Sequence, residues 1–224
     1  MILGIITAAV FVLVSAIFFT QKLKDDSQVK KLFAVIHKPL GYLLVALAVV
    51  HLAITLPLIR QRPFIIYLLG IGMVTCTMAA IIVRCHMEDK RKAFAWHKLC
   101  ALAIALLLIL HVVFCVTSFS EYKRNVAAIA FSNPDISSVA DGEYTGECDA
   151  GYIFAKVNVT VIDGVITNID LLEHRNERGK AGEGVIDEIL SEQCTDVDAV
   201  SGATNSSRVI KKAVENALEK GINR

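Results

Sequence analysis

The sequence predicts a bundle of four transmembrane helices followed by a small α+β domain. The mean hydropathy of +0.55 and the 54% share of hydrophobic residues are far above those of a water-soluble domain. The last third of the chain nevertheless has ordinary polarity, with charged helices and alternating strands. We therefore divide the chain into a transmembrane domain at 1–119, a linker at 120–140 and a soluble domain at 141–224.

Four apolar runs are each long enough to cross a bilayer. They cover residues 2–20, 32–59, 64–83 and 93–119. The first run is also compatible in length with a signal peptide, but no basic residue precedes it and no clear cleavage site follows Thr20. We therefore expect it to be retained as a helix.

Basic residues in the short loops predict the orientation of the bundle. The first and third connections are lysine-rich and arginine-rich, whereas the second carries only Arg60 and Arg62. Under the positive-inside rule the first and third connections are cytoplasmic. Both termini and the soluble domain then lie outside the cell membrane. The net charge of +1 and the absence of a basic stripe give no indication of nucleic-acid binding.

Four histidines lie inside the predicted spans, where ionisable residues are costly. His37 and His51 are 14 residues apart on the second helix, and His97 and His111 are 14 apart on the fourth. Fourteen residues is close to four helical turns, so each pair lies on one side of its helix, separated by roughly 21 Å. Both helices run outward, which predicts that His37 is level with His97 and His51 with His111.

Opposed neutral imidazoles are suitable axial ligands for haem iron. We therefore predict two b-type haems, one held by His37 and His97 and the other by His51 and His111. The spacing resembles that of di-haem b-type cytochrome bundles, including ferric reductase-like transmembrane domains. The alternative is that these histidines hydrogen-bond across helices or line a proton path.

The soluble domain is predicted to be an antiparallel meander covered by two helices. Strands are expected near 143–149, 152–162 and 165–173, and helices near 181–193 and 205–220. His174, after the third strand, is predicted to be a surface residue, and His86 a solvated loop residue.

The last helix begins just after the run Asp198-Ala199-Val200-Ser201-Gly202-Ala203-Thr204. Unpaired N–H groups at a helix N-terminus favour a phosphate, and small residues such as Gly202 and Ala203 allow it to approach the backbone. A hydroxyl in this position also has a simpler explanation, since Ser201, Thr204 or Ser206 is a suitable helix cap.

The order Asp-x-x-Ser-Gly-Ala-Thr resembles the flavinylation motif of the FMN-binding domain family, found in the C subunit of sodium-translocating NADH:quinone reductase and in Rnf complexes. The likeness extends over residues 141–220. It implies FMN esterified through its phosphate to Thr204 by a separate flavin transferase outside the cytoplasm. Asp198, Ser201, Gly202 and Ala203 would be recognised by that transferase. Residues 173–178 lack the Glu-Thr pair common in the family, and the alternative to a surface position for His174 is contact with flavin or an electron acceptor. No residue is predicted to be catalytic.

The six cysteines form no Cys-x-x-Cys, which argues against an iron–sulfur cluster or a covalently attached haem. Cys148 and Cys194 share the soluble domain, where a disulfide is permitted by compartment but not established by spacing. No Gly-x-Gly-x-x-Gly motif follows a strand, so a nicotinamide donor would act through another protein.

The predicted function is transmembrane electron transfer from a cytoplasmic-side or quinol donor, through two haems and FMN, to an extracytoplasmic acceptor. The chain would be an electron-transfer component with redox partner proteins or quinone, rather than a complete enzyme. One alternative is a haem-free, membrane-anchored flavoprotein that serves as a subunit or redox sensor of a larger complex. Another is a quinone site in the bundle, to which Tyr42, Arg60, Arg62 and Tyr67 would contribute, and a third is a flavin-free interaction module.

Overall fold

The computed structural model describes residues 2–20, 22–24 and 27–222 and divides into two compact units. The first unit is Met1–Val116 and the second is Thr117–Arg224. The long apolar helices lie in the first unit, and the three-stranded sheet with its helices lies in the second. The predicted fold class, four apolar helices followed by a small α+β domain, is confirmed.

Among the residues that the structure describes, four stretches of helix are long and apolar enough to cross a membrane, which indicates a multi-pass membrane protein. They are Ile2–Thr20 (α1, Ile2–Ser15, and α2, Ile17–Thr20), Gln28–Leu58 (α3, Gln28–Thr55, and a 3-10 turn, Leu56–Leu58), Phe64–His86 (α4) and Lys90–Ala127 (α5). Helix α5 extends past residue 119, where the apolar run of the sequence ends. The exposed His86 is the last residue of α4, not part of a loop after it.

The sheet of the second unit is an antiparallel meander with strand order β1-β2-β3, as predicted. Its strands are β1 Gly142–Asp149, β2 Phe154–Ile162 and β3 Val165–Arg175. A 3-10 turn at Lys180–Gly184 leads into α6, Val185–Glu192, and the chain continues to α7, Thr204–Ile222. Two register shifts along β2, after Lys156 and after Thr160, reflect irregular pairing with β3.

The core of the second unit forms between β2 and α7. Val157, Val159 and Val161 alternate along β2 and are fully buried, as the period of two in a strand requires. The facing side of α7 contributes a fully buried stripe of helical period, listed in order as Val209, Ile210, Ala213, Val214, Ala217 and Leu218. Gly146 brings β1 against the α7 backbone, since a Cβ there would lie 2.1 Å from the Ala213 carbonyl oxygen.

A buried carboxylate fixes the segment that precedes the sheet. Glu215 on α7 is fully buried and accepts hydrogen bonds from the backbone N–H groups of Ser132 (3.1 Å) and Asn133 (2.9 Å). Thr195 Oγ1 (3.2 Å) and Lys212 Nζ (3.0 Å) also donate to it. Burial alone would raise the pKa of Glu215, but these donors lower it below the usual range. The stretch at 120–140 thus includes the last turns of α5 and a segment bonded to α7.

Candidate functional site

Thr204 is the first residue of α7 and is exposed. The loop before it turns tightly, because the Ala203 N–H donates to the Val200 carbonyl oxygen (3.0 Å) and Gly202 has a φ of +79°. Ser207 Oγ accepts from the Val200 N–H (3.1 Å) and donates to the Ala203 carbonyl oxygen (3.2 Å). The start of α7 is therefore held by hydrogen bonds that leave Thr204 itself facing outward.

The predicted attachment motif divides into accessible and buried residues. Asp198, Ser201 and Gly202 are exposed, whereas Ala203 is buried. Within the described part of the chain, the Thr204 hydroxyl makes no hydrogen bond, so it does not act as a helix cap. An exposed, unbonded hydroxyl beside the free N–H groups of a helix start is accessible both to a modifying enzyme and to a phosphate.

A pocket of about 430 Å³ lies beside Thr204, within the range of small-molecule and cofactor sites. Four segments of the second unit line it. They are Phe119, Tyr122 and Lys123 from the end of α5, Tyr152 and Ile153 from the turn after β1, Glu177, Arg178 and Gly179 from the loop after β3, and Gly202 to Ser206. Because these segments are distant in sequence, no local motif identifies the pocket.

Aromatic side chains form one wall of this pocket. The rings of Tyr122 and Tyr152 are stacked, with centroids 5.2 Å apart and planes within 12°. Phe119 packs against both rings, and the Tyr122 hydroxyl oxygen accepts a hydrogen bond from Asn205 Nδ2 (2.7 Å). The residue next to Thr204 is thereby fixed to the aromatic wall. A flat, apolar wall of this kind suits a planar ring system.

The prediction that His174 is a surface residue is wrong. Its side chain is only 2% exposed, with Nδ1 2.9 Å from Glu183 Oε1 and Nε2 3.2 Å from Ser206 Oγ. The chain turns back after β3 and places the 3-10 turn that carries Glu183 over the imidazole. Only this long-range packing buries the residue, so the position at a strand end was not informative.

In the first unit, the structure brings His37 and His97 together, with ring centroids 6.0 Å apart. Two imidazoles this close would be able to hold one metal ion between them. The side chains of His51 and His111 are close enough to interact electrostatically. Helix α1 packs against His51 at Gly4, where a Cβ would lie 3.0 Å from the ring.

Backbone carbonyls orient three of the four histidines. The Nδ1 atoms of His37, His97 and His111 lie 3.2, 3.1 and 3.1 Å from the carbonyl oxygens of Val14, Ala80 and Ile66, respectively. A ring that donates through Nδ1 presents Nε2 as an electron-pair donor, which is the usual arrangement of metal-ligating histidines. In the described ranges no group of three or more His, Cys, Asp or Glu side chains that could hold a metal ion is present.

Two of the cysteines, Cys148 and Cys194, lie in the second unit. Cys148 and Cys194 are free cysteines, so the permitted disulfide is not formed. Burial raises the pKa of the Cys148 thiol, which disfavours the reactive thiolate.

Comparison with known families supports the predicted FMN-binding domain. Residues 151–219 match the FMN-binding domain. The match includes Thr204, the loop before it and His174, and it follows the four apolar helices. The chain is also similar to an uncharacterized protein from Treponema pallidum (strain Nichols), with 28% identity over 191 residues. These residues are 80% of this chain and 52% of that protein, so the chain spans about half the length of that relative. No solved structure matches the chain.

Proposed function

We propose that this protein is a membrane-anchored flavoprotein in which FMN is esterified through its phosphate to Thr204 and serves in electron transfer. The carrying observation is the exposed, unbonded Thr204 hydroxyl at the start of α7, beside a pocket with an aromatic wall. Both lie in the region where the chain matches the FMN-binding domain. A covalent bond keeps the cofactor from diffusing away when the domain faces the outside of the cell.

The residues around Thr204 fit the parts of FMN. The start of α7 would hold the phosphate, and the pocket wall formed by Tyr122 and Tyr152 would contact the isoalloxazine ring. Lys123 and Arg178 line the pocket with positive charge, and Glu177 lines it with negative charge. The bound flavin supplies one-electron and two-electron chemistry, so the domain can exchange electrons with either kind of carrier. Asp198, Ser201, Gly202 and Ala203 would be contacted by the flavin transferase that attaches the cofactor.

The test is covalent attachment in the full chain co-expressed with a flavin transferase. Thr204→Ala should remove the flavin fluorescence of the denatured protein and its mass increment, whereas Thr204→Ser retains a hydroxyl and should retain some flavin. Thr167→Ala, at an exposed threonine on β3, is the matched control and should be fully flavinylated. Normal flavin content in Thr204→Ala would overturn the proposal.

A second candidate function is a di-haem conduit feeding this flavin, and it is favoured by the histidine geometry of the first unit. His37 with His97 would hold one haem, and His51 with His111 the other. The 6.0 Å separation of the first pair and the three Nδ1 contacts with carbonyls support this assignment. Under it, electrons would move outward from a cytoplasmic or quinol donor, and both termini would be extracytoplasmic.

The conduit is tested by a dithionite-reduced minus air-oxidised spectrum of protein made in haem-replete cells. Two b-type haems per chain are expected, and His97→Leu should lower the ratio to about one. His86→Leu is the matched control, because His86 is exposed at the end of α4. A spectrum with flavin bleaching alone would overturn the conduit and leave the membrane-anchored flavoprotein.

A further inference from the structure

The pocket described above extends beyond the region that matches the FMN-binding domain. The match covers residues 151–219, whereas Phe119, Tyr122 and Lys123 belong to the last turns of α5. These turns lie in the second unit, which begins at Thr117. The matched region therefore lines only part of the pocket, and α5 supplies the rest.

One face of this part of α5 packs into the core of the second unit. Phe119, Tyr122 and Val126 are spaced by three and four residues, which places them on one side of the helix. Tyr122 is 8% and Val126 6% exposed, and both belong to the same apolar cluster as the buried stripe of α7. Arg208 on α7 also donates to the Ile129 carbonyl oxygen (3.0 Å), just after α5. These contacts hold the end of α5 in a fixed position within this unit.

Two hydrogen bonds join α5 to the matched region at the aromatic wall. Ser118 Oγ lies 2.7 Å from the Tyr152 hydroxyl oxygen. In the opposite direction, Asn205 Nδ2 of the matched region donates to the Tyr122 hydroxyl oxygen (2.7 Å). The hydroxyl of each tyrosine is thus bonded to a residue of the other segment, while the two rings stack on each other. A phenol ring bonded at its hydroxyl end keeps one orientation, so these bonds hold the wall in place.

The aromatic wall is bonded directly beside the proposed attachment point, because Asn205 follows Thr204 in the chain. A phosphoester at Thr204 would restrain only the phosphate end of FMN. The ribityl chain between the phosphate and the isoalloxazine ring is flexible, so the ester alone would allow the ring to leave the pocket. Contacts in the pocket must therefore fix the position of the ring.

We propose that the end of α5 completes the flavin site, with Tyr122 contacting the ring and Ser118 and Asn205 acting as positioning residues for the aromatic wall. The inference rests on the proposed function. The matched region attaches the cofactor through Thr204, and the end of α5 holds its ring. When the wall is removed, FMN stays covalently bound but its ring moves into solvent.

The experiment measures the fluorescence lifetimes of the flavin in the full chain, purified in detergent after co-expression with a flavin transferase. Contact with a tyrosine ring quenches flavin fluorescence, so a short-lived component reports the ring on the wall and a long-lived component reports the ring in solvent. The ratio of the two amplitudes measures the ratio of the two populations. Mass spectrometry gives the covalent flavin content of each variant, and thermal unfolding reports on the fold.

Tyr122→Leu should lower the ratio of held to free ring about 20-fold, the combined effect of one aromatic contact and one hydrogen bond. Its covalent flavin content should stay at the wild-type value. Tyr144→Leu is the matched control, because Tyr144 is a buried tyrosine of the same apolar cluster whose hydroxyl donates to the Ala140 carbonyl oxygen. It should lower the melting temperature and leave the ratio unchanged.

Ser118→Ala tests a positioning residue that lies outside the attachment motif. It should lower the ratio about fivefold, the effect of one hydrogen bond. Ser118→Thr retains the hydroxyl and should restore the wild-type ratio. Ser120→Ala, at an exposed serine on the opposite side of α5, is the matched control and should not change the ratio.

The outcomes separate this proposal from the one on which it rests. The wild-type ratio in flavinylated Tyr122→Leu and Ser118→Ala would overturn the role of α5 alone, as would an equal fall in Tyr144→Leu. Absence of covalent flavin from the wild-type chain would overturn the proposed function, and this inference with it. If Tyr122→Leu does not fold, Tyr122→Phe takes its place, since it retains the ring and loses the bond to Asn205.

Discussion

The two units use apolar residues in opposite ways. In the first unit large apolar side chains face outward, with Ile2 74% and Val35 73% exposed, as expected where the surroundings are lipid. In the second unit Val157, Val159 and Val161 are completely enclosed. The comparison shows that a continuous apolar core stabilises the second unit. The first unit buries scattered residues such as Ile66 and Tyr67, and histidine contacts with carbonyls and close approaches at glycine add to them. The predictions below test this difference.

The largest expected effect is that of Gly146→Ala in the second unit. A Cβ at Gly146 would lie 2.1 Å from the Ala213 carbonyl oxygen and 2.4 Å from the Ala217 nitrogen, both backbone atoms that cannot move alone. We expect the free energy of unfolding to fall by about 3 kcal/mol or more, measured by urea unfolding in detergent. Gly41→Ala in α3, where no atom lies within 4 Å, is the control from the first unit. An equal effect of the two substitutions would contradict the comparison.

Glu215→Gln should destabilise the second unit by about 2 kcal/mol. The amide nitrogen of glutamine is a hydrogen-bond donor and would replace one of the two carboxylate oxygens that accept from neighbouring donors. Ser132, Asn133 and Lys212 would each lose part of their hydrogen bonding to the side chain at position 215. Thermal unfolding checks this. Glu219→Gln, one turn later where the side chain is 43% exposed, should cost much less. Similar melting temperatures for the two variants would show that the buried carboxylate does not hold the segment.

The same carboxylate predicts a pH dependence. The folded pKa of Glu215 is lower than the value of about 4.3 expected in an unfolded chain. Its ionisation therefore stabilises the fold fully above about pH 5, and this contribution disappears as the pH falls through the folded pKa. The difference in melting temperature between wild type and Glu215→Gln should shrink as the pH is lowered from 6 to 3. A constant difference would contradict the assigned shift.

The smallest expected effect concerns the loop before Thr204. Gly202 has a φ of +79° and Gly151 a φ of +95°, and neither has an atom within 4 Å of an added Cβ. Alanine at either position should cost about 1 kcal/mol of stability through backbone strain alone. Gly202→Ala should also slow the proposed flavin attachment about fivefold, because about 1 kcal/mol of strain falls on the loop before Thr204. Equal attachment rates in Gly202→Ala and Gly151→Ala would show that the conformation of the loop before Thr204 does not affect recognition by the transferase.

Local patterns predicted most of the fold and one part of the site. Period-two alternation predicted β2, and the apolar stripe from Val209 to Leu218 predicted α7, because each element buries one face. The position of Thr204 followed from the same stripe. The aromatic wall of Tyr122 and Tyr152 was not predictable, since it depends on packing between distant segments. The structure also buries His174 through a 3-10 turn that no short pattern indicates.

The packing of α7 in the core of the second unit has a consequence for the kinetics of the proposed electron exchange. Thr204 opens the helix whose other face is the most tightly enclosed surface of the second unit, from Val209 to Leu218. Interiors packed at this density are stiff, so the anchor point cannot drift without displacing the sheet. FMN attached at Thr204, as we propose, would meet nearly the same protein surroundings before and after it gains an electron. The reorganisation energy contributed by the protein should therefore be small, which favours fast exchange at low driving force.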